Sequence, residues 1–521
     1  MVAGDVPSAL PRGTPVAVIG AGAMGAGIAQ IAAVHGHPVR LHDVRADAAD
    51  RAREGIRNAL ERLGAKGKLD RAALDAACAR IACVDALEGC GDAGLVVEAI
   101  VEDLAAKRAL FDALERIVAT DCVLASNTSS LSITALAAER AHPGRVVGMH
   151  FFNPAPVLPL VEVVSGLATD RHVADMVHAT AAAWGKTPVH AASTPGFIVN
   201  RCARPYYAEA LRLLQERAAD PATLDAIMRE AGGFRMGPFE LMDLVGHDVN
   251  FAVTSSVWEA YFHDPRYTPS VLQHELVVAG FLGRKRGRGF YRYGSDAPPV
   301  APQAEARSAP PRAVVVHGDA GLLRRLLDRI ADAGIAVDEA EAHPAFADVP
   351  LVRIDGAAAR AHVALTDGRT ATLRAVETGV RDLVLLDHAL DFASATRFAV
   401  ARADTCSDAS LAAAVGALQA AGASVSRLDD VAGLAVLRTV AMLANEASDA
   451  ATQGVAKPGA IDTAMRLGVN YPRGPFEWAR AIGVGALRDA LAHLARHYGE
   501  DRYRVSPLIA RRALTGEPLD G

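Results

Sequence analysis

The tetrapeptide Gly-Pro-Phe-Glu occurs twice in this chain, at 237–240 and again at 474–477. It does not recur alone. Gly196, Arg201, Glu209, Ala210 and Asp225 stand the same 237 positions before Gly433, Arg438, Glu446, Ala447 and Asp462. A spacing held without a gap from Gly196 to Glu240, in Ala-rich sequence of helical periodicity, implies one helical domain present in two copies. Proline in the first turn makes each Gly-Pro-Phe-Glu a helix start, so the motif itself reads as structural. Whatever the 521 residues fold into must therefore accommodate two successive halves. The proline-rich stretch 296–312, with almost no large apolar side chains, has the composition of a semi-rigid linker between them.

Upstream of the first helical copy the pattern alternates. Strands are expected at Val16–Ile19, Val39–His42, Leu95–Glu98, Cys122–Ala125, Val146–Met149 and Leu160–Val164. Helical sequence intervenes up to about Val34 and from Asp47 to about Ala79, which predicts a parallel sheet wound on both faces. From Pro195 to Gly280 only helical periodicity remains. The second half restarts with a strand at Ala313–His317, a turn at Gly318, a helix over Leu322–Ala333, a strand at Leu383–Leu386, and helices from Val431 onward. The expected organisation is a Rossmann-like dinucleotide-binding α/β domain at 12–193 and an all-α domain at 194–295. The linker 296–312 leads to a degenerate, shortened Rossmann-like remnant at 313–425 and the second helical copy at 426–521.

Composition excludes several classes. Lys+Arg number 54 against 60 Asp+Glu, a net charge of −6, and only 5% of residues are aromatic. Neither a basic surface nor a stacking platform for nucleic acid is expected. Six cysteines without a CxxC pair, and no paired Cys/His cluster, point to no disulfide framework and no metal. Val16–Val34 carries no charge, but Gly20, Gly22, Gly25, Gly27 and Gln30 fit a strand–turn–helix better than a membrane span. A cytoplasmic protein without membrane or nucleic-acid partners is expected.

Gly20-Ala-Gly22-Ala23-Met24-Gly25 follows a strand and opens a helix. The first glycine permits the tight turn, the second lets backbone approach a pyrophosphate, and the third lets helix and strand pack closely. Asp43 ends the next strand, 18 residues beyond Gly25. An acid there accepts from both ribose hydroxyls of NAD and repels the 2′-phosphate of NADP; Arg45, two residues on, weakens that exclusion. Ser126–Leu131 and His150-Phe-Phe-Asn153-Pro follow strands at the carboxyl edge of the sheet, where such folds bind ligands. Glu162 sits amid Leu160, Val161, Val163 and Val164 and needs a partner if buried. His150 on the neighbouring strand is one candidate, as a general base or acid oriented by the carboxylate. Spacing alone leaves equally open a surface histidine beside an edge-strand glutamate.

Together these residues resemble the 3-hydroxyacyl-CoA dehydrogenases. The likeness rests on the glycine turn with Asp43, Val-Glu98-Ala-Ile-Val-Glu102, Ser126–Leu131, His150-Phe-Phe-Asn-Pro, Thr-Pro-Gly-Phe-Ile-Val-Asn200-Arg201 and Gly-Arg-Lys285-Arg-Gly-Arg-Gly-Phe-Tyr291. It runs continuously over about 12–293, and the duplicated helical domain resembles the long bacterial form associated with phenylacetate degradation. The resemblance implies NAD-dependent oxidation of a 3-hydroxyacyl-CoA, with a 3-hydroxyadipyl or 3-hydroxybutyryl chain. It makes His150 the base and Glu162 its carboxylate partner, with Ser129 and Asn200 on the reacting oxygen and the substrate. Gly20, Gly22, Ala23, Met24, Gly25, Asp43, Glu102, Lys107, Ser129, Asn153 and Lys285 fall on the cofactor. Lys66 falls on the CoA phosphates, although Arg51, Arg53, Arg57, Arg62 and Lys66 also read as one solvated helix face. Two other readings stay open: a non-catalytic relative on the same fold, and a sugar-acid dehydrogenase of the same superfamily.

The resemblance also frames the second half. Single-copy members dimerise through the helical domain, so the duplicate is expected to act as an intrachain partner, with a homo-oligomer of the whole chain also open. Gly20 and Gly36 align with Gly318 and Gly334 at an offset of 298, and Gly22 and Gly25 become Ala320 and Leu323. At the 237 offset His150 falls on Asp387, Glu162 on Ala399 and Asn200 on Leu437. The second half is expected to carry no chemistry.

Overall fold

The computed structural model describes residues 8–295, 297–298, 300–346 and 349–520. They form two compact units. The first runs through Arg201 and takes in Gln453–Val469; the second holds Cys202–Thr452 and the chain from Asn470 on. Among the described residues no helix is long and apolar enough to cross a membrane.

The first unit is built on eight strands: β1 Val16–Ile19, β2 Val39–His42, β3 Ile81–Cys83, β4 Leu95–Glu98, β5 Val123–Ser126, β6 Val146–Phe151, β7 Leu160–Ser165 and β8 Thr187–Ala192. Their order is β3-β2-β1-β4-β5-β6-β7-β8. Val16, Val18, Leu95, Val97, Val147 and Val161 are among the strand residues whose side chains build the core against the flanking helices, which explains near-continuous apolar runs rather than alternation. The sheet is not wholly parallel as expected: β7 runs antiparallel to β6, and β8 follows β7. The cause is the short connection 152–159, since a parallel return needs a crossover of a dozen or more residues. The helical stretch expected at 47–79 is two helices, Ala48–Ala65 and Arg71–Ala79. They part at Gly67, with φ +68°, and restart where Asp70 accepts the Ala73 N–H.

One element of this unit was assigned by sequence to the second helical copy. Helix Pro458–Gly468 packs on β7 and β8, and the Ala192 N–H donates to the Val455 carbonyl at 2.8 Å.

The second unit contains a seven-stranded sheet: β9 Ala313–His317, β10 Ala336–Ala340, β11 Leu351–Asp355, β12 Arg360–Leu365, β13 Leu383–Leu386, β14 Arg397–Arg402 and β15 Ser424–Arg427. Only two of these were expected. The order β10-β9-β11-β12-β13-β14-β15 repeats the first sheet place for place, with the β3 position gone. β13 and β14 are antiparallel as β6 and β7 are, and Asp387 N–H bonds the Ala399 carbonyl at 2.9 Å, the same register as His150 and Glu162. The exception is β11, antiparallel to both neighbours where β4 is parallel. The turn 356–359 replaces a crossover helix, and a chain returning through so few residues can only run back.

The proline-rich stretch is a bound strap rather than a free spacer. Gln303 N–H donates to Thr223 Oγ1 (2.8 Å), Glu305 N–H to the Val425 carbonyl (2.7 Å) and Ser308 N–H to Gln419 Oε1 (2.8 Å). Both Gly-Pro-Phe-Glu motifs open helices as expected, the Gly237 and Gly474 N–H groups donating to Glu240 and Glu477 at 3.2 and 2.8 Å.

In this unit the two helical copies meet through buried charge. Arg438, wholly buried, donates to Glu209 at 2.8 Å and to both oxygens of Glu216 at 2.9 Å, and also to the phenols of Tyr498 and Tyr503. Matching this at the duplicated position, Glu446 accepts from Tyr267 at 2.6 Å and pairs with Arg266. Burial alone would raise the Glu216 carboxyl, but the Arg438 bonds hold it below its ordinary value. Its contribution is therefore present at neutral pH and is lost as pH falls. Removing the cation takes the bonded counter-charge from two carboxylates and leaves them chiefly phenol donors, so Arg438→Ala is expected to cost about 3–5 kcal/mol of stability. Urea unfolding reads this directly, and a loss below about 1 kcal/mol, the worth of an exposed pair, would contradict it.

Candidate active site

At the end of β1 the glycine turn has three distinct constraints. Gly20 has φ +104°, and a Cβ there would lie 2.5 Å from the Ala99 carbonyl oxygen; a Cβ on Gly25 would lie 1.7 Å from the Gly20 oxygen. Those two glycines are required by the protein itself. A Cβ on Gly22 would meet nothing within 4 Å, so this backbone faces open space. Helix Ala23–Val34 starts there with no side-chain cap and no acid in its first turn, leaving the N–H groups around Ala23 and Met24 for an anionic ligand. A cleft of about 530 Å³ opens over Ala21, Gly22, Ala23, Arg45 and Pro156.

Asp43 is tied to this turn, its Oδ2 accepting the Ala21 N–H at 2.8 Å. The Arg45 guanidinium donates to both its oxygens at 3.0 Å and holds its carboxyl far below the usual carboxylate range. Arg45 itself is mostly exposed. An open glycine, a bare helix start and an acid at the second strand fit a dinucleotide with a free ribose.

A buried ionic chain organises the next edge. Glu98, the last residue of β4, is fully buried and accepts from Lys107 Nζ at 2.6 Å, the Ile100 N–H at 2.7 Å and Ser126 Oγ at 2.6 Å. Lys107 also lies 3.2 Å from Glu102. Glu102 in turn accepts from Thr128 Oγ1 (2.6 Å) and from the N–H groups of Ser129 (2.9 Å) and Ser130 (3.1 Å). Burial would raise the Glu102 carboxyl, yet these donors and the Lys107 charge pull it below its ordinary value. Within this unit Glu102 and Lys107 hold the loop that carries Ser129. Glu98, Ser126 and Thr128 lie in motifs quoted from the sequence but were given no site role there, although Glu98 gives the same signal as Glu162, a carboxylate in an apolar strand.

β6 continues past Met149 through His150 to Phe151, so His150 lies directly opposite Glu162. Nδ1 stands 2.6 Å from Glu162 Oε2, with Glu162 fully buried and His150 5% exposed. The reading of a surface histidine beside an edge glutamate is excluded. Glu162 Oε1 accepts the N–H groups of Ile198 and Val199 at 3.1 and 2.9 Å. With Nδ1–H donated to the carboxylate, Nε2 is left as an acceptor. The ring is flanked by Phe152 and Phe197, at 4.5 and 5.9 Å between centroids. Asn200 follows at once, its Nδ2 donating to the Ser129 carbonyl at 3.2 Å. His150, Glu162, Ser129 and Asn200 are thus one constellation.

The remaining sequence candidates lie outside it. Asn153 is exposed just beyond β6, Lys66 is exposed just past the helix Ala48–Ala65, and Lys285, in the second unit, pairs with Asp248 at 2.6 Å. The second copy retains the architecture without the histidine at this position. Asp387, at the histidine position, accepts the N–H groups of Ala435, Val436 and Leu437 at 2.9, 2.7 and 3.0 Å. Burial pushes its carboxyl up to about 6 against those donors. The carboxylate that caps the following helix has moved across to the other strand, and the imidazole is gone. Leu323, buried, fills the place of Gly25.

Comparison with known proteins agrees with this geometry. The family model described as "3-hydroxyacyl-CoA dehydrogenase, NAD binding domain" matches residues 15–194, and its C-terminal domain matches twice, at 196–293 and 433–518. A "3-hydroxybutyryl-CoA dehydrogenase reduced Rossmann-fold domain" matches 363–431. The 3-hydroxyadipyl-CoA dehydrogenase of Escherichia coli K12 is 42% identical over 500 residues, 96% of this chain and 97% of that one. Human mitochondrial hydroxyacyl-coenzyme A dehydrogenase is 40% identical over 284 residues, 53% of this chain and 90% of that one. The crystal structure of 3-hydroxybutyryl-CoA dehydrogenase from E. coli K12 superposes with TM-score 0.87 at 41% identity, covering 97% of this chain and 99% of that one. With the family matched over nearly its whole length and a dinucleotide-binding turn in place, the chain belongs to the 3-hydroxyacyl-CoA dehydrogenases and is an NAD-dependent oxidoreductase of that family.

Proposed function

We propose that the chain oxidises the 3-hydroxyl of an (S)-3-hydroxyacyl-CoA, of adipyl or butyryl type, to the 3-oxo thioester, with His150 as the base. The observation that carries this is the His150–Glu162 pair, buried and in register, with Nδ1 at 2.6 Å from the carboxylate. His150 Nε2 takes the hydroxyl proton. Glu162 holds the opposite N–H and stabilises the imidazolium as it forms. NAD held at the glycine turn supplies the acceptor for the hydride that leaves C3. Ser129 and Asn200 donate to the oxygen as its C–O bond becomes double, neutral donors suited to a charge that appears and then disperses. Glu102 and Lys107 serve this site by fixing the Ser129 loop and Asn153 by bordering the cofactor, while Lys285 is assigned to the cofactor by the family resemblance. Lys66 is the weaker assignment, toward the CoA phosphates.

The second helical copy serves in this reading as a built-in dimer partner. Two equivalent bonds support it: Ala192 N–H to the Val455 carbonyl in the first unit (2.8 Å), and Asp429 N–H to the Ala218 carbonyl in the second (3.0 Å), each pair displaced by the repeat. Each sheet thus receives backbone from the other helical copy.

Two outcomes test the reading. His150→Gln is expected to lower kcat by at least about 100-fold while leaving NADH affinity near normal, and retention of more than about a tenth of the rate contradicts the assignment. NAD is expected to be preferred to NADP because of Asp43, with one NADH bound per chain by calorimetric titration. Two sites per chain, or an equal or lower KM for NADP, would show that Ala320 and Leu323, or Arg45, have been misread.

A further inference from the structure

Helix Pro458–Gly468 belongs to the second copy by sequence but ends against the strand that carries Glu162. Its last residue fits tightly. A Cβ on Gly468 would lie 2.7 Å from Leu160 Cδ2, 3.1 Å from Val199 Cγ2 and 3.6 Å from Phe152 Cε1. Each of these neighbours is one step from the dyad. Leu160 is on β7 two residues before Glu162 and shares its face. Val199 gives its N–H to Glu162 at 2.9 Å, and the Phe152 ring lies 4.5 Å from that of His150.

We propose that Gly468 is a positioning residue for the His150–Glu162 dyad, so that the second copy, without chemistry of its own, sets the geometry of the first. The inference rests on the assignment of His150 as base. Gly468 is not needed for its backbone, since its φ is not positive. Glycine is also a poor helix former, so local structure gives no reason for it. The reason lies in what it touches. Leu160 and Val199 are buried, and Val199 is stiff at its branched Cβ. A methyl at 468 must therefore displace the end of the Leu160 side chain and press Val199 Cγ2 aside by a few tenths of an ångström, within a close-packed interior beside the dyad. At the matching position the first copy carries Ala231, and there the repeat has Arg397 and Ala389 in place of Leu160 and Phe152. Glycine stands in the copy whose neighbours are Leu160 and the Phe152 ring.

The test uses the full chain with Gly468→Ala and Gly468→Val. Gly459→Ala is the control, because a Cβ there meets nothing within 4 Å in the same helix. Misplacing a catalytic group by about 1 Å can cost about 100-fold. Losses in kcat of about 10-fold for Gly468→Ala and about 100-fold for Gly468→Val are therefore expected, with NADH affinity unchanged and Gly459→Ala equal to wild type. The downfield NMR resonance of the His150 Nδ1 proton is expected to shift in the Gly468 variants alone. Adding Leu160→Val to Gly468→Ala is expected to return part of the lost rate. The proposal is overturned if Gly468→Ala keeps kcat within twofold with an unmoved resonance, or if Gly459→Ala loses as much. His150→Gln run in parallel separates the two ideas: if that variant stays active the base assignment fails, and if it is inactive while Gly468→Ala is normal, only the positioning role fails. Should Gly468→Val not fold, the single added methyl of Gly468→Ala still decides.

Discussion

Glu162 is a carboxylate with no exposed surface, in the middle of an apolar strand, and such a group is tolerated only where every oxygen is engaged. Its two oxygens are divided between functions. One holds the His150 imidazole, and the other receives the Ile198 and Val199 N–H groups at the start of the helix that presents Asn200. A single side chain therefore fixes β6 to β7 and both to the segment leaving the sheet. Asn200 then reaches the Ser129 carbonyl, and Ser129 is held from the other side by Glu102. The antiparallel turn of β7 makes this possible, because it sets positions 150 and 162 directly opposite each other.

The second half shows the same architecture without the His–Glu pair. The helix start following its sheet still needs a carboxylate, and Asp387 supplies one from the position where the first copy has its histidine. The cap and the His–Glu pair are thus separable: the second copy keeps the carboxylate at the helix start and has no imidazole at the matching position. Loss of a crossover helix turned β11 around, and Leu323 closed the glycine turn, yet the seven remaining strand positions kept their order. What the copy keeps is a contact between the helical domains that includes the Arg438 cluster.

Much of the site is legible in the residues. The glycine turn and Asp43 declare themselves by spacing, and the duplication by an ungapped offset that also matches Asp387 and Ala399 to His150 and Glu162. Glu162 is visible as a charge where none should be, and Glu98 gives the same signal three strands earlier. The burial of His150 is not legible, because it depends on β6 running two residues further than its apolar run. β3, β8 and most of the second sheet are short or alternately exposed, too weak a periodicity to separate from loops. The placement of Gln453–Val469 against β7 and β8 is a long-range event with no local signature. Nor does sequence place Lys66 or Lys285; the resemblance alone puts them on substrate and cofactor.

The account stands on Glu162 holding the histidine in one tautomer. Glu162→Gln keeps the size and an oxygen for the Ile198 and Val199 N–H groups, but turns an amide N–H₂ toward His150 Nδ1. That donor forces the proton to Nε2, where the base must be free. Single-turnover formation of NADH from saturating NAD and (S)-3-hydroxybutyryl-CoA measures the consequence without product release. A fall of about 100-fold or more in that rate, with NADH affinity unchanged, is the result expected for loss of the base. A single-turnover rate within a few-fold of wild type would show that the buried pair is structural and that the proton leaves by another route.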